Sequence, residues 1–272
     1  MRLTAIALTS SILATAQWPQ WRGPGGQGIS NETGLATRWS VSQNIAWKAS
    51  LAGTGTSSPI VVNGLVIVTG QVGSYSAADG SDPRLARDER TLAVKEKAIA
   101  GIYGKVFLVV EAFGLSDGKK RWEYRVPASG EEPEMHEKHN LATPTPVTDG
   151  ERIYAWFGNG FAAALDLNGK PLWTKSLAPE FGSFLNQWGH GSSPALYRDT
   201  VLFLVDHRPV SYLVALDAKT GAVRWKADRG RGRVSHSTPT IVPGVKGDEL
   251  LVNSSEKIDV YDPSTGKLLW NF

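Results

Sequence analysis

The sequence predicts an all-β fold, a β-propeller of four-stranded blades, and three observations carry the prediction. A turn-and-strand segment recurs as FGLSDGKKRW (113–122), LDLNGKPLW (165–173), LDAKTGAVRW (216–225) and YDPSTGKLLW (261–270). A second element precedes each copy: SSPIVVNGLVIVTG (57–70), TPTPVTDGERIYAWFG (143–158), SSPALYRDTVLFLV (192–205) and STPTIVPGVKGDELLVN (237–253). The tryptophans that end the copies, Trp122, Trp173, Trp225 and Trp270, lie 51, 52 and 45 residues apart. That spacing is too long for a leucine-rich repeat and suits a propeller blade.

Each part of the unit has a physical reason. Proline is tolerated where a strand begins, because no ladder donor is lost there, so Pro59, Pro144, Pro194 and Pro239 mark first strands. A turn and a second apolar strand follow, and the recurring segment adds the end of a third strand, a turn and a fourth. Gly118, Gly169, Gly221 and Gly266 each precede a Trp by four residues and supply a positive φ in that turn. The Trp supplies packing: a ring burying roughly 150–250 Å² contributes at most about 4–6 kcal/mol, enough to anchor one sheet on the next.

Composition narrows the class. With 29 Gly, 15 Pro, 10 Trp, no Cys and a net charge of +3 over 272 residues, there is no disulfide framework and no thiolate chemistry. No basic run is long enough to track a nucleic-acid backbone. Residues 1–16 read as a secretory signal, with Arg2, an apolar stretch and small residues Ala14 and Ala16 before a cleavage point at Gln17. The stretch is too short for a membrane span, so a periplasmic or secreted protein is expected. Residues 17–56 form an N-terminal segment in which NIAWKASL (44–51) resembles an outermost, ring-closing strand, and 57–272 hold the blades. The first blade carries an insertion over about 71–104, with a helix expected over 84–100 from Asp82-Pro83, the Leu85, Leu92 and Ile99 spacing, and Gly101.

The units resemble the PQQ-like β-propeller repeats of quinoprotein alcohol dehydrogenases and BamB-like proteins. WPQWRGPGGQGIS (18–30), HEKHN (136–140) and GHGSSP (189–194) are similar to exported bacterial members of that superfamily. The resemblance implies a ring of seven or eight blades. Four full units are visible, over roughly 57–126, 143–176, 192–228 and 237–272, so the chain reads as part of a longer ring, incomplete at its C-terminus.

Candidate chemistry sits in the loops ahead of the Ser/Thr-Pro strands. His139, His190 and His236 occupy similar places in three units, and the resemblance implies that these loops face the central channel. With Asn140, Ser192 and Ser237 they are the channel-face candidates. Neutral imidazoles there would bind a metal or a ligand's polar groups, or serve as hydrogen-bonded structural groups. EEPEM (131–135) reads as a solvated acidic loop, RGRGR (229–233) is basic and glycine-rich but too short to argue for nucleic acid, and no motif orders a Ser-His-Asp triad.

Two functions follow. The first is a binding or scaffolding propeller for a protein, peptide or polysaccharide, with no nucleic-acid partner, no catalytic residues and no cofactor. The alternative is a dehydrogenase using PQQ and Ca²⁺, which the resemblance would furnish with a Cys pair, a Trp platform and Glu, Asn and Asp ligands. The Cys pair is absent; Glu111, Asn159 and Asp206 are of the right type without matching the pattern residue by residue. The binding role is the expectation.

Overall fold

The computed structural model describes residues 17–73, 106–128, 139–182, 184, 189–207, 210–231, 233–255 and 257–272. The expected signal segment and the expected helix over 84–100 lie outside them. Four four-stranded antiparallel sheets follow one another along the chain. The first holds β1 (Ile60–Val62), β2 (Leu65–Val72), β3 (Phe107–Gly114) and β4 (Lys120–Pro127). The second holds β5 (Val147–Thr148), β6 (Arg152–Trp156), β7 (Phe161–Asp166) and β8 (Pro171–Ser176). The third holds β9 (Ala195–Tyr197), β10 (Thr200–Asp206), β11 (Ser211–Asp217) and β12 (Val223–Gly230). The fourth holds β13 (Thr240–Gly244), β14 (Gly247–Asn253), β15 (Ile258–Tyr261) and β16 (Leu268–Asn271). Helical structure among the described residues is confined to a 3-10 turn, Pro24–Gly26, and one helical turn, α1 (Ala178–Phe181). This is the blade architecture of a PQQ-like propeller.

The middle strands explain the apolar runs. Every residue of β10 is buried because it lies between the second and fourth blades, and all but the first of β3 because the second blade and the N-terminal segment cover it, whereas β14 in the fourth blade stays partly exposed. Three apolar clusters fill the gaps between consecutive blades. One joins Ile67 and Val110 to Ile153 and Ala163, the next joins Tyr154 and Trp156 to Phe203 and Tyr212, and the third joins Leu204 and Leu213 to Leu250 and Val252. The outer strands alternate instead: along β4, Trp122, Tyr124 and Val126 face inward and their neighbours face solvent.

The Gly-Trp pairs join blades rather than strands of one blade. In every blade a bulge separates the third and fourth strands beside the pair that contains the Trp: Ala112 with Trp122, Ala164 with Trp173, Ala215 with Trp225, Val260 with Trp270. The indole of Trp173 lies over the next blade's Gly221, where an added Cβ would sit 2.7 Å from the ring. Trp122 covers Gly169 and Trp225 covers Gly266 in the same way. Each indole N–H also donates to a carbonyl of the turn it covers, at 2.8 Å for Leu167, 3.0 Å for Ala218 and 3.2 Å for Pro263. The glycine is thus required twice, once for its φ of 71° at Gly221 and once for the space above it.

Trp47 completes the series at the first blade. Its ring covers Gly118 and its N–H donates to Leu115 O at 2.8 Å. Residues 44–51, expected as a ring-closing strand, are unpaired among the described residues. No ladder partner runs beside them, and the pairing of residues 17–56 is limited to isolated bridges at Trp18, Ser40, Gln43 and Thr54 among the described residues. The indole on Gly118 and, just beyond the segment, Ala52 N–H donating to Glu111 Oε2 at 3.0 Å hold it against the first blade.

A second correction concerns the Ser/Thr-Pro frame. In the second blade the first strand begins at Val147, after Pro146, not after Pro144. The reason is a hydrogen-bond row along the inner edge. Ser58 N–H donates to Thr145 Oγ1 at 3.0 Å, Thr145 N–H to Ser193 Oγ at 3.0 Å, and Ser193 N–H to Thr238 Oγ1 at 3.2 Å. The residue before the strand's proline therefore carries the hydroxyl that receives the preceding blade. In TPTPV only Thr145 stands in that place.

No helix among the described residues is long and apolar enough to cross a membrane. Replacing Trp173 or Trp225 with Ala should lower stability by about 2–4 kcal/mol, since each loses packing and an indole hydrogen bond. Trp270, 47% exposed, should cost less than about 1 kcal/mol. Chemical denaturation of the three variants measures the difference; equal shifts would separate the Gly-Trp pattern from blade docking.

Candidate functional site

The inner strand ends and the N-terminal segment enclose a cavity of about 750 Å³. The segment reaches it by pairing with the inner strands: Trp18 exchanges backbone hydrogen bonds with Val61 at 3.0 and 2.9 Å, Pro19 O accepts from Thr148 N–H at 2.9 Å, and the 3-10 turn contacts β13. Gln20, Trp21 and Arg22 thereby join the wall, opposite the hydroxyl row and His236. Gly23 lets the chain turn against Trp18, whose ring would lie 2.6 Å from an added Cβ.

The structure divides the candidate residues. His139 and His236 come together, with ring centroids 5.9 Å apart, and Gly191 leaves room between them: a Cβ there would lie 3.3 Å from His236 Nδ1 and 3.7 Å from His139 Cε1. His236 and Ser237 line the cavity. Ser237 Oγ is within 2.9 Å of Ser235 Oγ and donates to Asn253 O. Burial and then His139 hold the His236 imidazole below its ordinary pKa, so it is neutral at pH 7. Asn140 organises its own turn: its side-chain oxygen accepts Ala142 N–H at 2.9 Å and its carbonyl accepts the Thr143 hydroxyl at 2.8 Å.

His190 and Ser192 are not on the cavity wall. Both are buried, and His190 points between the second and third blades. There Trp156 Nε1–H donates to His190 Nε2 at 2.8 Å, and His190 Nδ1 stands 3.1 Å from His207 Nε2. An indole N–H can only donate, so His190 Nε2 is the acceptor and its proton sits on Nδ1, directed at His207. That leaves His207 protonated on Nδ1. Phe184 packs edge-on against both imidazoles. Burial, followed by His207 and His236, pushes His190 well below the ordinary histidine pKa, and burial followed by His236 lowers His207 to about 4.

Sequence reasoning missed an ionic cluster. Arg229, part of the short basic RGRGR run, is fully buried between the third and fourth blades. Its Nε and Nη2 reach both oxygens of Asp206 at 2.8 and 3.0 Å, and its Nη1 reaches Asp259 at 3.0 Å and Tyr261 Oη at 2.6 Å. Arg233 donates to Asp259 as well, with Lys257 Nζ 3.5 Å from its other oxygen.

With the geometry in place, comparison with known proteins is decisive. A family model described as outer membrane protein assembly factor BamB matches residues 29–183 and 163–272. The chain belongs to that family. Among curated BamB proteins, that of Moranella endobia is 29% identical over 67% of this chain and 46% of its own length, and that of Burkholderia pseudomallei is 28% identical over 69% and 48%. The chain thus spans about half the length of these relatives. A solved quinohemoprotein alcohol dehydrogenase from Comamonas testosteroni shares the fold at a TM-score of 0.53 and 16% identity, over 81% of this chain and 35% of that one.

The dehydrogenase likeness prompts a test of the ligand types named above, and they do not fit a calcium site. Glu111 Oε1 lies 2.6 Å from Lys120 Nζ while Oε2 accepts Ala52 N–H at 3.0 Å. Both Asp206 oxygens are held by Arg229, and Asn159 Oδ1 accepts Phe161 N–H at 3.3 Å. Among the described residues no three His, Asp or Glu converge as a metal site.

The two buried histidines set a pH dependence. Unfolded histidines take up a proton near pH 6.5, whereas folded His207 does so near 4, so the stability from the neutral pair is complete above 6.5 and is lost as pH falls toward 4. Linkage makes that loss roughly 3 kcal/mol for His207. Thermal melts at pH 7 and pH 4.5 should show a larger drop for the natural protein than for His207→Gln, whose amide oxygen still accepts from His190. Identical drops would remove the histidine pair as the cause.

Proposed function

We propose that this chain is part of an exported propeller that binds a protein partner and serves as a scaffold in outer membrane protein assembly, without a quinone or a metal. The observation that carries this reading is the commitment of the buried carboxylates. Asp206 and Asp259 are tied into the joint between blades and Glu111 is paired with Lys120, so acidic groups suited to metal chemistry serve the frame instead. A rigid frame of docked blades presents loops and rims to a partner, the use that its curated relatives' description as assembly factors favours. Export is supported by the leader-like residues 1–16.

The test is photo-crosslinking in a Gram-negative host that exports the chain with its own leader. A crosslinking residue is placed at the exposed positions Trp39 and Val245. Adducts with an outer-membrane protein or an assembly component are expected. Quinone-dependent dye reduction with alcohols by the purified chain, or an absence of specific adducts from a wider scan of the rim, would overturn the reading.

A further inference from the structure

We propose that the cavity between the N-terminal segment and the inner strands binds an acidic saccharide, its carboxylate held by Arg22 and the hydroxyl row and a sugar ring carried on Trp21. The first support is the balance of donors. Thr145, Ser193 and Thr238 line the cavity, and each hydroxyl oxygen already accepts a backbone N–H from the preceding blade. A hydroxyl has one proton and two lone pairs, so each of the three keeps its proton to give. Among the described residues none of them donates that proton to the protein. The row is therefore a set of donors awaiting an acceptor.

The second support is charge. Arg22 stands on the wall, and among the described residues no Asp or Glu lines the cavity and Arg22 has no carboxylate partner. A planar guanidinium favours carboxylate and binds it through paired hydrogen bonds. Arg22 is also held at φ 62°, a conformation unfavourable for a side chain of that size.

The third support distinguishes a saccharide from a bare anion. Gln20 and Asn253 contribute amides, and neutral His236 contributes one donor and one acceptor, a mixture that matches the dual character of sugar hydroxyls. Trp21, 40% exposed, offers an indole face for the apolar side of a sugar ring. The volume of about 750 Å³ falls within the roughly 300–1,000 Å³ usual for small-molecule sites. This proposal does not depend on the scaffold reading, and its failure would leave that reading intact.

Calorimetric titration of the purified chain with a galacturonic acid trimer, a neutral galactose trimer and inorganic phosphate tests it. The acidic trimer should bind at least tenfold more tightly than the neutral one. Arg22→Asn, a residue that accepts the left-handed backbone, should abolish that preference with no loss in melting temperature, and Trp21→Ala should weaken both sugars. Equal affinity for the two trimers, a preference that survives Arg22→Asn, phosphate binding as tightly as the acidic trimer, or no heat from the acidic trimer at millimolar concentration would each overturn the proposal.

Discussion

The rest of the structure depends on an indole lying flat on a glycine of the next blade. A four-stranded sheet of this size has two apolar faces and cannot bury them alone, so each blade is stable only against its neighbours. The Trp-on-Gly contact sets how far and at what angle the next blade approaches. It combines the area of the largest side chain with one indole hydrogen bond to a turn carbonyl, and it admits no Cβ at the receiving position. Four such contacts, from Trp47, Trp122, Trp173 and Trp225, bracket the four sheets.

Polar groups supply the complementary restraint nearer the axis. The N–H groups of Ser58, Thr145 and Ser193, each just before a strand-opening proline, would be stranded at the inner edge, and the hydroxyl of the next blade receives each of them. Between the second and third blades the buried Trp156, His190 and His207 form one directed chain. Between the third and fourth, Arg229 satisfies two buried aspartates. Breaking one side of such a cluster leaves a buried charge uncompensated, a cost of about 3–5 kcal/mol, so these groups are constrained to the frame. The freedom to take a ligand is left to the wall that the N-terminal segment completes.

Much of the fold was legible because its rules are local. Gly221 and Trp173 each belong to a repeated pattern, and the pattern names both the turn and the packing residue. What was not legible depends on partners distant in sequence. TPTPV offers two Thr-Pro pairs, and only the reach of Ser58 N–H to Thr145 selects the second. The segment around Trp47 was recognisable as a closing element, yet the seat of its indole on Gly118 depends on a partner distant in sequence. His207 lies at the end of β10, outside the Ser/Thr-Pro loops, so no periodicity linked it to His190. The burial of Arg229 could not be read from RGRGR because its aspartates come from two different blades. Trp21 and Arg22 lay in a motif that carried the family resemblance but no site; their place on the cavity wall follows from the pairing of Trp18 with Val61.

If blades are held chiefly by their immediate neighbours, damage at one joint should remain at that joint. Native-state hydrogen exchange on Trp173→Ala tests this most directly. Faster exchange is expected at Tyr212 and Leu216, across the damaged joint, with Leu250 and Val260 in the fourth blade unchanged. A uniform acceleration across all four blades would contradict it, and would mean that the sheets are held by something other than the indole and glycine of adjacent blades.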